Sequence, residues 1–370
     1  MKRIIVSVTN DLVNDQRVHK VCTSLLELNY EILLIGRKLK NSENLKRTYN
    51  TYRIKLIFNK GFLFYAEYNL RIFFKLLFLK KDILLSNDLD TLLPNYLISK
   101  LFKKKLVYDS HELFTEVPEL INRPFVRNFW LAIEKRILPN IKNCYTVNTE
   151  IAQIYSSTYN IPVKVIRNIA PKYKTIDDLT DFSRKIKGTK KMLILQGTGI
   201  NIDRGAEEVV DAMQYLDNII LYIIGSGDVF EILKEKISVL NLQEKIIILN
   251  KMPYLKLMKY TQIADLGLSL DKNTCLNYEL SLPNKIFDYI HAGTPLLVSD
   301  RKIVSKIVIK NNIGRVINTH NPKQIANCIS SIFKNDKEYA IWCKNLNSAA
   351  QLFNWEKESV KLKSIYSNLK

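Results

Sequence analysis

At 370 residues the chain is long enough for two domains of ordinary size, and its 47% hydrophobic and 25% charged residues are those of a globular protein with a sizeable core rather than a disordered one. Five scattered cysteines with no Cys-x-x-Cys pair, and four histidines without ligand spacing, argue against a disulfide framework or a zinc site and favour a reducing compartment. The net charge of +20 suits nucleic acid or an anionic membrane surface, but no nucleic-acid-binding signature accompanies it, so no nucleic-acid partner is expected. Residues 1–105 hold 20 Lys and Arg against 9 Asp and Glu, so over half of the excess lies in under a third of the chain.

Residues 3–9 (RIIVSVT) read as a buried strand, with an apolar part too short for a signal peptide. Helical periodicity over Val18–Leu28 and a second strand at Glu31–Gly36 complete a βαβ opening. The first connecting loop, NDLVNDQR, has no GxGxxG, so no dinucleotide fingerprint forms there. Asp15, Gln16 and Arg17 in that loop are either site residues or an Asp/Asn-rich turn and helix cap.

Residues 61–79 (GFLFYAEYNLRIFFKLLFL) form the most apolar stretch. Glu67, Arg71 and Lys75, four apart, support a helix, and these charges exclude a comfortable membrane span. The stretch is either a helix packed on the sheet or a face that dips into a membrane leaflet, with Lys80 and Lys81 at the headgroups. A strand over Asp82–Leu85 ends in Asn87-Asp88-Leu89-Asp90, which opens a helix over Thr91–Lys100; Asp residues cap there, so a DxD metal motif is set aside.

A strand at Lys105–Tyr108 delivers Asp109-Ser110-His111-Glu112 to the sheet's carboxyl edge, and Glu116, Pro118, Glu119 and Pro124 mark an irregular loop. Trp130–Leu138 is helical, Cys144–Asn148 and Val163–Ile166 are strands, and the polar stretch Lys172–Lys191 reads as an interdomain linker.

A second βα series opens with the strand Met192–Leu195 and the loop Gln196–Gly205, in which Gly197 and Gly199 let backbone N–H groups approach a phosphate and Arg204 can fork to two of its oxygens. Strands at Ile219–Ile224 and Lys245–Leu249 follow, the first with a tight Gly225-Ser226-Gly227-Asp228 turn and the second with Lys251-Met252-Pro253 at its end. A strand at Ala264–Leu270 precedes a helix with Pro283 in its first turn and Gly293 as its stop. On this helix Asn284, Asp288 and His291 share a face expected to stay free, Lys285 lies beside them, and Ile286 and Ile290 fall on another face, against a sheet. A helix N-terminus at a sheet's carboxyl edge suits a phosphate, and Lys285 adds charge.

Glu279 to Pro295, together with Gly197 to Gly205, resembles glycosyltransferase family 4, the retaining enzymes of the GT-B architecture. The likeness extends over nearly the whole chain, down to a late Trp355-Glu356. It implies an α/β fold of two Rossmann-like parallel-sheet domains facing a central cleft: an acceptor domain over 1–171, a linker over 172–191, a donor domain over 192–352, and a helix over 353–370 that crosses back. Arg204-Gly205 match the family's diphosphate grip, while Thr198 stands where a second basic residue is common. Asp288 replaces the second Glu of the family's Glu-x7-Glu motif, and Glu279 lies nine rather than eight residues before it.

The resemblance implies that Gly197, Gly199, Arg204, Met252, Glu279, Asn284, Lys285 and Asp288 bind the donor, with Asp288 on the ribose hydroxyls and Met252 by the base. His111, Arg204 and Lys285 are the catalytic set, His111 touching the transferred sugar, and Asp15, Gln16 and Arg17 form the acceptor or cleft loop. The activity implied is metal-independent retaining transfer from a nucleotide-diphosphate sugar to a saccharide or lipid-linked saccharide acceptor, with no further cofactor. The basic first domain fits such an acceptor at the cytoplasmic face of a membrane, so a cytoplasmic location with peripheral contact to the inner face of an anionic membrane is the expectation drawn from charge. A nucleotide-sugar epimerase of the same architecture is the alternative, and a non-catalytic basic binding protein a third.

Overall fold

A computed structural model describes residues 1–13 and 15–369. The chain divides into two compact units, Met1–Asn168 with Glu356–Lys370, and Ile169–Trp355. The first holds strands β1 (Arg3–Asp11), β2 (Glu31–Lys38), β3 (Asn50–Lys55), β4 (Ile83–Asn87), β5 (Lys105–Ser110), β6 (Asn143–Thr146) and β7 (Val163–Val165). The second holds β8 (Lys191–Gly197), β9 (Ile219–Gly225), β10 (Ile246–Asn250), β11 (Leu266–Ser269), β12 (Leu296–Ser299) and β13 (Gly314–Ile317).

Both sheets are parallel, ordered β3-β2-β1-β4-β5-β6-β7 and β10-β9-β8-β11-β12-β13. Each runs outward from its first strand and then reverses, so each unit has a topological switch point, between β1 and β4 and between β8 and β11. Open α/β folds place ligands outside the carboxyl ends of the strands at such a point.

Continuous apolar strands follow from helices on both faces. Along β8, Leu193 and Leu195 enter one core with Val209, Val210 and Leu233, whereas Met192 and Ile194 enter another with Ile286, Phe287 and Ile290. The strand period of two sends alternate residues to opposite sides.

Among the elements that the sequence reading missed are β3 and three short helices. β3 is an edge strand of mixed polarity, paired through its backbone to β2, so little apolar pattern marks it. The expected linker contains a helix, Thr180–Lys187, that buries no residue of its own. The irregular loop near Pro118 holds a short helix, Pro118–Ile121, and the next helix begins at Pro124, with proline at its start in both cases. Leu276–Leu280 is a fourth, one turn before the Asn284 helix.

The last helix, Trp355–Ser367, joins the first unit: Tyr30 donates its hydroxyl to the Tyr366 carbonyl at 2.8 Å, and the Glu358 carboxylate accepts the Arg167 N–H at 3.0 Å.

Candidate functional site

In the second unit, the loop after β8 and the end of β11 meet because Gly205 permits it. Gly205 has φ +77°, and a Cβ there would lie 2.2 Å from the Leu270 carbonyl oxygen. This approach sets the neighbouring Arg204 beside Asp271, just beyond β11. The loops after β8 and β9 are zipped together by Ser226 N–H to Gly197 O at 3.1 Å and Ile200 N–H to Ser226 O at 2.9 Å.

Asp271 is fully buried and faces three cations. Its Oδ1 lies 3.4 Å from Arg204 Nη1 and 3.6 Å from Lys285 Nζ, and its Oδ2 lies 3.0 Å from Arg301 Nη2. The Ser269 hydroxyl donates to Oδ2 at 3.0 Å. Burial acts to raise the pKa of Asp271, but Lys285, Arg301 and Arg204 hold it far below the carboxylate range. Burial lowers that of Lys285, and the two guanidiniums add to the effect against the pull of Asp271.

Three cations against one carboxylate leave this corner with an excess of positive charge. Arg301 is inside the structure, 1% exposed, and also bonds the Tyr278 carbonyl and Ser281 hydroxyl, each at 2.7 Å, so it braces the segment before the Asn284 helix. Arg204 is partly exposed; it packs 4.0 Å over the Tyr278 ring, and its Nε has no hydrogen-bond partner among the described residues. Arg204 and Lys285, 81 positions apart, are thus brought onto one carboxylate oxygen. Asp271 and Arg301 were missed from sequence; the available signal was a charged residue two positions past the end of each of two buried strands.

The helix runs Asn284–Ala292, with Pro283 just outside it as the cap residue and Gly293 in the left-handed conformation at its end. The face expected to be free is open only at Asn284. His291 is buried, with Nε2 2.7 Å from the Phe353 carbonyl. Asp288 is also buried and accepts from the Tyr254 hydroxyl on Oδ1 and from Gln196 Nε2 on Oδ2, each at 3.0 Å. Gln196 is oriented in turn by Thr261, whose hydroxyl donates to Oε1 at 2.7 Å. Gly199 is exposed, and Gly197, Met252 and Glu279 are half-buried.

The first unit carries its own charged cluster at the β1/β4 switch. Arg17 is not on an open loop, which corrects the expectation of a sugar-contacting residue. It is 3% exposed, with Nη2 2.6 Å and Nε 3.1 Å from the Asp109 carboxylate and Nη1 on the Ile166 carbonyl at 3.1 Å. The helix Gln16–Leu26 turns it inward, leaving Gln16 exposed and Asp15 as the cap that accepts the Val18 N–H at 3.0 Å.

His111 stands between two carboxylates, Nδ1 3.0 Å from Asp88 and Nε2 3.3 Å from Asp109. Burial opposes its charge, but Asp88 and Asp109 outweigh burial and raise the imidazole pKa well above its usual value. Both carboxylates thus favour the charged imidazolium. Asp88, at φ +58°, also accepts the His111 N–H at 2.7 Å.

Asp90 is buried beside this cluster and accepts from the Thr9 hydroxyl at 2.5 Å. Burial and the Asp88 charge push its carboxyl up to about 7. Its folded pKa lies above the unfolded value of about 3.9, so the native state binds the extra proton between them and loses stability as pH rises through that window. Asp90→Asn is therefore expected to gain on the wild type by about 1.4 kcal/mol per pH unit between about pH 4 and 7. Denaturant melts at pH 5 and pH 7 check this; a difference independent of pH refutes it.

Among the described residues there is no group of three His, Cys, Asp or Glu side chains placed to hold a metal ion. A doubly wound second unit with surplus cations at its switch point has the charge and placement that suit a phosphate-type ligand. Residues 178–348 match the family model described as glycosyl transferases group 1. Solved structures that share the fold include sucrose-phosphate synthase from Thermosynechococcus elongatus (TM-score 0.81, 15% identity, covering 100% of this chain and 99% of that one), HepE from Anabaena in complex with UDP-glucose (0.75, 13%, all of both chains), and a putative UDP-N-acetylglucosamine 2-epimerase from Listeria monocytogenes (0.65, 12%, 100% and 97%). The architecture is GT-B, two Rossmann-like parallel-sheet units. A search of curated protein sequences gave no significant match.

Proposed function

We propose that the chain transfers a sugar from a nucleoside-diphosphate donor to a saccharide or lipid-linked saccharide acceptor, with retention of anomeric configuration and without a metal ion, in the building of cell-surface polysaccharide. The observation that carries this is the convergence of Arg204, Lys285 and Arg301 on Asp271 in the region that matches the group 1 model. Arg204 is partly exposed and offers its guanidinium to a phosphate oxygen, and Lys285 supplies a second charge. As the bond to the anomeric carbon breaks, negative charge grows on the departing diphosphate and these two groups stabilise it. The acceptor hydroxyl attacks from the leaving-group side and passes its proton to a departing phosphate oxygen. His111, paired with Asp88 and Asp109, is reserved for binding the sugar, to which it donates a ring N–H.

Asp288 binds the ribose in this reading by exchanging its bond to Tyr254 for bonds to ribose hydroxyls. Titration calorimetry with uridine, guanosine and adenosine diphosphates tests the proposal and picks the base. One of them is expected to bind, and Asp288→Asn to bind it about tenfold more weakly, the scale of one hydrogen bond to a charged group. Equal affinity in the variant removes Asp288 from the ribose site, and no affinity for any of the three defeats the donor assignment.

Epimerisation is the second reading, since a putative epimerase shares the fold. Product analysis with the bound sugar nucleotide separates them: an epimerase releases an altered sugar nucleotide with no acceptor present, whereas a transferase needs one.

A further inference from the structure

The helix Gly61–Phe78 buries one stripe, Phe64, Tyr68, Ile72 and Leu76, at i, i+4, i+8 and i+12. Its opposite face is just as apolar and lies in solvent: Phe62 is 67% exposed, Leu70 59%, Phe74 52% and Phe78 88%. A surface helix in water normally turns a polar face outward, so an outward apolar stripe calls for a covering surface.

The patch extends beyond this helix. Phe62 meets Phe129 edge-on at 6.2 Å, which adds the start of the Pro124–Ile137 helix, where Phe125 is 87% exposed. The segment before the helix is shaped to belong to it: Glu67 accepts the Ile57 N–H at 3.0 Å and the Phe58 N–H at 2.9 Å, pinning both side chains in exposed positions. That use of Glu67 also takes the one acid of the helix out of play, since its carboxylate pairs with Arg71 as well. On the neighbouring helix Leu92–Leu101, Leu97 and Leu101 are exposed, with Phe102 next in the chain.

Exposed cations accompany these apolar segments in the chain: Lys60 and Lys80 flank the Gly61–Phe78 helix, Lys100 and Lys103 end the Leu92–Leu101 helix, and Arg123 precedes the Pro124–Ile137 helix. Aromatic and aliphatic side chains accompanied by basic ones match the interface of an anionic bilayer, where rings enter the acyl boundary and cations meet headgroup phosphates. No helix among the described residues is long and apolar enough to cross a membrane.

We propose that this face of the first unit, with the Gly61–Phe78 helix at its centre, lies on the surface of an anionic lipid bilayer. The argument uses neither the donor site nor the transfer reaction and stands apart from both. The full chain is sedimented with vesicles of phosphatidylcholine alone or mixed with phosphatidylglycerol, with no sugar nucleotide added. It is expected to pellet with the mixed vesicles, less so at high salt, and Phe74→Glu/Phe78→Glu is expected to weaken this by at least about tenfold. Both positions are solvent-exposed, so the double variant keeps its melting temperature. Three results overturn the proposal: no pelleting of the wild type with mixed vesicles, equal pelleting of the double variant, or a self-association that the double variant abolishes while vesicle binding is absent, which assigns the face to a second copy of the chain.

Discussion

Arg204→Ala is expected to lower the turnover of sugar transfer by about two orders of magnitude, the scale of losing one charge stabiliser from a pre-formed site. The fall belongs in kcat, because the interaction strengthens as charge moves onto the diphosphate and is worth less in the ground state. Arg204→Lys restores only part of it, since an ammonium lacks the fork that meets two oxygens at once. The second unit keeps its stability in either variant: Arg204 is partly exposed, and Asp271 retains Lys285 and Arg301. Steady-state kinetics with the donor found by calorimetry check the result. Unchanged kcat in Arg204→Ala removes the residue from the reaction, whereas a rise in KM alone makes it a binding group only.

Arg17→Met is expected to cost the first unit about 3–5 kcal/mol, the scale of leaving one charge of a buried pair without its partner. Burial raises the pKa of Asp109 while Arg17 and His111 hold it below the usual carboxylate range, so the charge persists inside the structure. Without Arg17, only His111 at 3.3 Å opposes the Asp109 carboxylate, and His111 is already shared with Asp88. The Ile166 carbonyl also loses a donor. Adding Asp109→Asn removes the stranded charge, so the double variant is expected to be more stable than Arg17→Met alone, a coupling that a double-mutant cycle in denaturant measures. Equal losses in the two variants show that the pair contributes packing and not charge.

Local patterns were legible where a short span carries the signal. Strands with both faces buried stand out as apolar runs, and Gly293 ends its helix in the left-handed conformation. The backbone freedom expected at Gly205 is used, at φ +77° against the Leu270 carbonyl. β3 was not readable, since an edge strand held by main-chain bonds carries little apolar pattern. For the stretch 61–79 the sequence reading offered a packed helix or a membrane-facing one, and the fold shows why composition does not choose between them: one stripe packs on the sheet while the opposite stripe is exposed.

By itself the sequence determined the α/β alternation, the basic character of the first domain and the pairing of Arg204 with a flexible glycine, all carried by neighbours in the chain. Only the tertiary structure decided that Asp271 is the carboxylate on which Arg204, Lys285 and Arg301 converge, and that Arg17 belongs to Asp109 and not to an open loop. The partners in these pairs lie 67 and 92 positions apart for Arg204–Asp271 and Arg17–Asp109. Strand order brings them together, and nothing in the local pattern around either residue encodes which distant charge it will meet.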